Sequence, residues 1–238
     1  MAPCGREAHQ LALCAGLPRM EYEWLHDGQS GTLRGRLLFW RISGWFIACG
    51  RFFRESSVAA LCDRDCFGGF PLEYPFSVVA VDVGGTKIAC AVVRYENADA
   101  VPIILSRRSV PTDAQQGGEV VLARILDLVD DVRDEALSHG ETIVGVGVAT
   151  AGRVDVNTGN IAFANEIMPG WSGQPLGDAL RERFECPSAV LGDVQSHALG
   201  EARWGAARGA QTAVVMAPGT GLGGGIICHG KIVRGKHG

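Results

Sequence analysis

From residue 77 onward the chain alternates short, almost wholly apolar runs with longer amphipathic ones. "SVVAVDVGG" and "KIACAVVRY" read as two buried strands whose turn at Gly84-Gly85 is short enough for an antiparallel hairpin, and "VPIILSRRSV" reads as a third strand. "GEVVLARILDLVDDVRDEALSHG" places Val121, Ile125, Leu128, Val132 and Ala136 on one helical face and ends at Gly140, a residue suited to closing a helix. "TIVGVGVATAG" predicts another apolar strand, and a turn-rich stretch through "VDVNTGN" follows. Then come a helix in "QPLGDALRERF", a strand in "PSAVLGD" and a helix in "VQSHALGEARWG". The chain closes on two strands joined by a glycine-rich turn in "AVVMAPGTGLGGGIICHGKIVRG". Hairpin strands followed by helices alternating with strands predict an α/β fold, a mixed sheet covered by helices.

Residues 1–76 follow no such pattern. They hold five of the eight Cys, three of the five Trp, seven of the nine Phe, eight Arg and no Lys, with neither a sustained helical period nor strand alternation. Such a mixture is what upstream or out-of-frame translation of GC-rich DNA gives, so the segment reads as a non-native or disordered extension. The competing reading is a helix-turn-helix in "HQLALCAGLPRMEYEWLHDG" from His9, with a turn at Gly16. Its second helix would carry Glu21, Glu23 and Asp27 toward phosphates, which is the wrong charge.

Composition narrows the function classes without choosing one. The 238 residues are 47% hydrophobic, enough for a packed core, and the formal net charge of -4 leaves no basic footprint for nucleic acid. No cysteine pair has C-x-x-C metal spacing. No signal peptide is legible, and "LLFWRISGWFIAC" from Leu37 is too short for a membrane span and contains Arg41. The expectation is a cytoplasmic protein with reduced thiols, no membrane partner and no nucleic-acid partner.

The turn Asp82-Val-Gly-Gly-Thr-Lys87 is where chemistry enters. Tight hairpins use Gly or Asn, but have no need of an acid before the turn and a hydroxyl and amine after it. Gly84 and Gly85 would let backbone amides approach a phosphate, Thr86 adds a hydroxyl, and Asp82 is suited to hold a hydrated Mg²⁺. The alternative is a plain hairpin with Lys87 guarding its rim. A second turn, "APGTGLGGG", repeats the design with Gly219, Thr220 and Gly221. Neither is a Walker loop nor a dinucleotide fingerprint. Two such turns far apart in sequence suggest a clamp closing on one polyphosphate.

Between them, Asp193 stands where "AVLGD" ends and a helix begins, the place where open sheets present catalytic groups. It could simply cap that helix. Phosphoryl transfer to a sugar hydroxyl, however, needs one carboxylate in reach of that hydroxyl, and Asp193 is the best-placed candidate.

The ordered series Asp82-Val-Gly-Gly-Thr-Lys87, "GVGVATAGRVD" from Gly145, "ANEIMPGW" ending at Trp171, "GDVQSHALGEARWGAARG" and "GTGLGGG" resembles the ROK family of sugar kinases and related repressors, in the sugar kinase, Hsc70 and actin superfamily. The resemblance spans residues 77–238. It implies an actin-like, RNase H-like fold: a first lobe over 77–205 and the start of a second over 206–238. It also implies ATP and Mg²⁺ bound between the lobes and transfer of the γ-phosphoryl group to a hexose such as glucose or to an N-acylated amino sugar. Asp82, Gly84, Gly85, Thr86 and Lys87 match the first phosphate motif, Gly219, Thr220 and Gly221 the second, and Asp193 the catalytic base. Gly152 and Asn165 fall in segments that line the sugar in relatives, while Trp171 reads as packing. Relatives often form homo-oligomers.

Two departures accompany the match. Relatives usually carry Asn-Asp where this chain has Gly192-Asp193, so one side-chain donor to the sugar is absent. Relatives also continue past "VRGKHG" into a Glu-x-Gly-His segment, a cysteine-rich zinc motif and most of the second lobe. On that reading the chain is truncated, holds no zinc, and leaves "AVVMA" and "GGIIC" as bare apolar edges. The rival function is a sugar-responsive repressor of the same family, in which residues 9–28 would read DNA. The intact first turn favours the kinase.

Overall fold

The computed structural model describes residues 37–42, 45–50, 73–98, 100–218 and 222–235. The proposed helix-turn-helix at 9–28 and the turn residues Gly219, Thr220 and Gly221 lie outside them.

The chain after residue 76 builds a five-stranded mixed sheet in the order β5-β4-β3-β6-β9. Its strands are β3 (Phe76–Val83), β4 (Lys87–Tyr95), β5 (Ile103–Pro111), β6 (Ile143–Thr150) and β9 (Ser188–Gly192). β3 lies between antiparallel β4 and parallel β6, and all eight of its residues are buried. A strand covered on both faces has no solvent side to alternate with, which explains its unbroken apolar run. β5 lies at the edge, and Ile103, Ile104 and Leu105 are exposed there.

Successive residues of β3 feed two cores. Val79, Val81 and Val83 pack under helix α1 (Gly118–Ser138) and helix α2 (Leu176–Phe184). The five positions assigned to the inner face of α1 are all buried, and Gly140 follows its end with φ +83. On the opposite face Phe76, Val78 and Ala80 pack with Tyr95, Leu191 and Trp204. The turn-rich stretch contains a small antiparallel hairpin, β7 (Arg153–Val154) with β8 (Ile161–Phe163). The Asp155 carboxylate closes the intervening turn by accepting the amides of Thr158 and Asn157, which holds its pKa below the usual carboxylate range.

Helix α3 (Asp193–Arg203) follows β9 directly and carries the second sheet on its flank. That sheet runs β1-β2-β10-β11-β12, from β1 (Leu37–Ile42), β2 (Trp45–Gly50), β10 (Thr212–Pro218), β11 (Leu222–Cys228) and β12 (Lys231–Ile232). The bare edge expected at "AVVMA" is not found. β2 runs parallel to β10 from Ala213↔Phe46 to Met216↔Cys49, and β11 pairs on its other side. A row of open amides and carbonyls is a template for a further strand, and the hairpin β1–β2 fills it. "GGIIC" pairs along its length with β10, while on its other side the short β12 pairs only with Ile227 and Cys228 and leaves Ile226 exposed.

Close approach of β11 to α3 explains two of its glycines. A Cβ on Gly223 would lie 2.8 Å from Val194 Cγ2, and one on Gly225 would lie 2.5 Å from Ala198 Cβ. Any side chain there would push the second sheet off the helix. Among the described residues no helix is long and apolar enough to cross a membrane.

Candidate active site

The parallel strands β3, β6 and β9 end in register. Val83 pairs with Thr150, and Thr150 with Gly192, so these three residues form a row across the sheet at the strands' C-terminal ends. Asp82 precedes that row on β3, and Asp193 follows it as the first residue of α3, directly after β9. One strand separates them, which sets the two backbones about 10 Å apart. Asp82 is buried and Asp193 is exposed.

Thr112 shapes the first glycine turn from outside it. Gly84 N–H donates to the Lys87 carbonyl at 3.0 Å and extends the hairpin ladder by one pair. The Thr112 hydroxyl donates to the Gly84 carbonyl at 2.6 Å, and the Thr112 amide donates to the Thr86 carbonyl at 3.0 Å. The turn's carbonyls are thereby held on the Thr112 side. The amides of Gly85 and Thr86 have no hydrogen-bond partner among the described residues. Paired amides left open at a turn suit an anion. Thr112 is fully buried and was missed in the sequence, because a Thr following Pro111 at a strand end carries no signal of its own.

The sugar-side candidates lie around the same strand ends. Gly152 has φ +98, and a Cβ there would lie 2.6 Å from the Phe163 carbonyl oxygen, so only glycine fits. Its own carbonyl oxygen would lie 3.6 Å from a Cβ placed on Gly192. Asn165 uses its side-chain oxygen locally, accepting the Ile167 amide at 3.2 Å, and its carbonyl accepts the Met168 amide. Ile167 in turn lies over the glycine turn, since a Cβ on Gly85 would meet Ile167 Cγ2 at 3.0 Å. Gly85 thus neighbours Ile167, and Gly152 neighbours Gly192.

Asp193 is not the helix cap. Gly192 occupies the cap position without a side-chain bond, and Asp193 is the first helical residue, its Oδ1 accepting the Val194 amide at 2.8 Å. Ser196 Oγ donates to the Gly192 carbonyl at 3.1 Å and ties the junction down. Trp171 is fully buried and packs in the core, as its place in the sequence suggested. Its indole N–H donates to Thr150 Oγ1 at 3.2 Å, beneath the row of strand ends. Gly219, Thr220 and Gly221 are not described, but the strands that flank them pair at Pro218↔Leu222. The approach of Gly223 to Val194 puts the end of that hairpin beside the start of α3.

The model of the ROK family matches residues 78–238. A glucokinase of Halalkalibacterium halodurans is 34% identical over 160 residues, covering 67% of this chain and 46% of its own length. A glucokinase of Streptomyces coelicolor is 36% identical over 160 residues, covering 67% of this chain and 46% of its own length. The crystal structure of a ROK family glucokinase from Streptomyces griseus in complex with glucose and AMPPNP superposes with a TM-score of 0.57 at 34% identity, covering 68% of this chain and 47% of that one. The chain thus spans about half the length of the curated relatives it matches. The structure of a ROK family transcriptional regulator, at 20% identity and a TM-score of 0.58, shares the fold.

Proposed function

Because this chain belongs to the ROK family of actin-like proteins, we propose that it serves an ATP-dependent sugar kinase, transferring the γ-phosphoryl group of ATP to a hydroxyl of a hexose or an N-acylated amino sugar. The observation that carries this reading is the pairing of an open glycine turn after β3 with an exposed carboxylate at the first residue of α3, just past the end of β9, so that both follow the ends of parallel strands one strand apart.

In this reading the Gly85 and Thr86 amides and the Thr86 hydroxyl bind phosphate oxygens, with Lys87 close by as a positive charge. The second turn, Gly219-Thr220-Gly221, grips the same polyphosphate from the other side. Asp82 is the carboxylate that would hold a hydrated Mg²⁺, whose charge offsets that of the phosphates. Asp193 accepts the proton of the sugar hydroxyl while that oxygen bonds to the γ-phosphorus. The bond from phosphorus to the bridging oxygen breaks, and ADP leaves. Gly152 and the Asn165 turn line the sugar.

A kinase is preferred to a repressor because the Asp82–Lys87 turn is intact, and because Thr112 braces it while its Gly85 and Thr86 amides stay open. The test is ADP release from ATP and Mg²⁺ across a panel of glucose, mannose, fructose and N-acetylmannosamine. Release that depends on one of these sugars is the expected result. Release indifferent to every sugar, together with salt-sensitive retention of duplex DNA, would replace the kinase by the repressor.

A further inference from the structure

Gly192 is a glycine that the backbone does not require. Its φ of -60 and ψ of 143 are open to any residue, and a Cβ there would make only ordinary contacts. The nearest are Gln195 Oε1 at 3.6 Å, the Gly152 carbonyl oxygen at 3.6 Å and Gln195 Cδ at 3.8 Å. All three are polar groups or the carbon that bears one. The lack of a side chain at 192 therefore leaves a small polar niche immediately before Asp193.

Gln195 stands three residues after Gly192, on the same side of the first turn of α3. It is only partly buried, and its carboxamide has no hydrogen-bond partner among the described residues. A carboxamide offers two N–H donors and a carbonyl acceptor, and the Gly152 carbonyl adds a second acceptor. An unpartnered amide beside an open carbonyl, next to a candidate general base, suits a hydroxyl that must both donate and accept.

We infer that Gln195 is a specificity-determining residue, whose carboxamide reaches over Gly192 to hydrogen-bond a sugar hydroxyl other than the one Asp193 deprotonates. This rests on the kinase reading and deepens it by naming the substrate class: a sugar with a second free hydroxyl on the face turned to Gly152. The glycine at 192 and the glutamine at 195 work as a pair, the one clearing the space that the other fills. A side chain at 192 would contact the carboxamide and compete for the same hydroxyl.

The test is sugar affinity of the full chain, read by ligand-observed NMR with glucose and its 2-, 3- and 4-deoxy derivatives. It compares the unsubstituted chain with Gln195→Ala, Gln195→Met and Gln195→Ala combined with Gly192→Asn. One lost neutral hydrogen bond corresponds to a loss of about three- to tenfold in glucose affinity. The expected result is that loss in both single variants, no further loss for one particular deoxy sugar, and recovery of glucose binding when Asn is added at 192. Glucose binding unchanged by both single variants overturns the role of Gln195 and leaves the kinase reading standing. Equal losses for glucose and all three deoxy sugars also overturn it, since they indicate a general effect on the site. Absence of binding by the unsubstituted chain to glucose and to the whole sugar panel overturns the kinase reading and this inference together.

Discussion

The Thr112 hydroxyl reaches across from the end of β5 to donate to the Gly84 carbonyl at 2.6 Å, and so sets which way the first glycine turn faces. Replacing Thr112 by Val keeps the shape of the side chain and removes the donor. The Gly84 carbonyl then loses a partner, with an expected cost of about 1–3 kcal/mol in unfolding free energy. Affinity for ATP, followed by a fluorescent nucleotide analogue, should fall several-fold, while Thr112→Ser retains most of it. Unchanged nucleotide affinity in Thr112→Val would mean that the turn holds its shape without the brace.

The second sheet depends on glycines that meet α3. A Cβ at Gly225 would sit 2.5 Å from Ala198 Cβ and 3.2 Å from Ile232 Cδ1. Gly225→Ala should destabilise the chain by about 1–3 kcal/mol, the usual range for overpacking. Adding Ala198→Gly makes room, so the double variant should recover part of that loss in urea denaturation. Simple additivity of the two changes would show that the contact is not what matters.

Much of the fold could be read from pattern because its elements are strongly periodic or uniformly apolar. The α1 face from Val121 to Ala136 and the unbroken run of β3 are examples, and both are buried as expected. The hairpin β7–β8 was less visible, since strands of two and three residues leave no period to detect. The pairing of β2 with β10 was also hidden, because it joins segments more than 160 residues apart and neither strand names its partner. Among the candidate residues, the glycine turns and Asp193 were legible because each has a plain structural use alone, while their ordered series together resembles the phosphate and base motifs of one family. Thr112, Thr150 and Gln195 were not, since each acts by where the fold carries it.

Cys90 titrates far from the ordinary range. Burial pushes its thiol up to about 12 from an ordinary value of 9.0. The unfolded chain loses this proton near pH 9 while the folded chain keeps it, so the thiol's contribution is complete below pH 9 and is lost as pH rises toward 12. Between pH 8 and pH 10 the unsubstituted chain should lose about 1.4 kcal/mol more stability than Cys90→Ala, as measured by urea denaturation. Parallel pH profiles for the two proteins would contradict this.

In the kinase reading Asp193 takes the proton of the sugar hydroxyl. Asp193→Asn keeps the size of the side chain and its exposed place at the start of α3, but removes the base. The decisive measurement is steady-state sugar-dependent ADP release by the unsubstituted chain and by Asp193→Asn, with sugar affinity measured separately on each. Loss of a general base predicts a fall in kcat of about 10²–10⁴, with sugar affinity changed by no more than a few-fold. A variant that turns over sugar at close to the original rate would contradict the assignment.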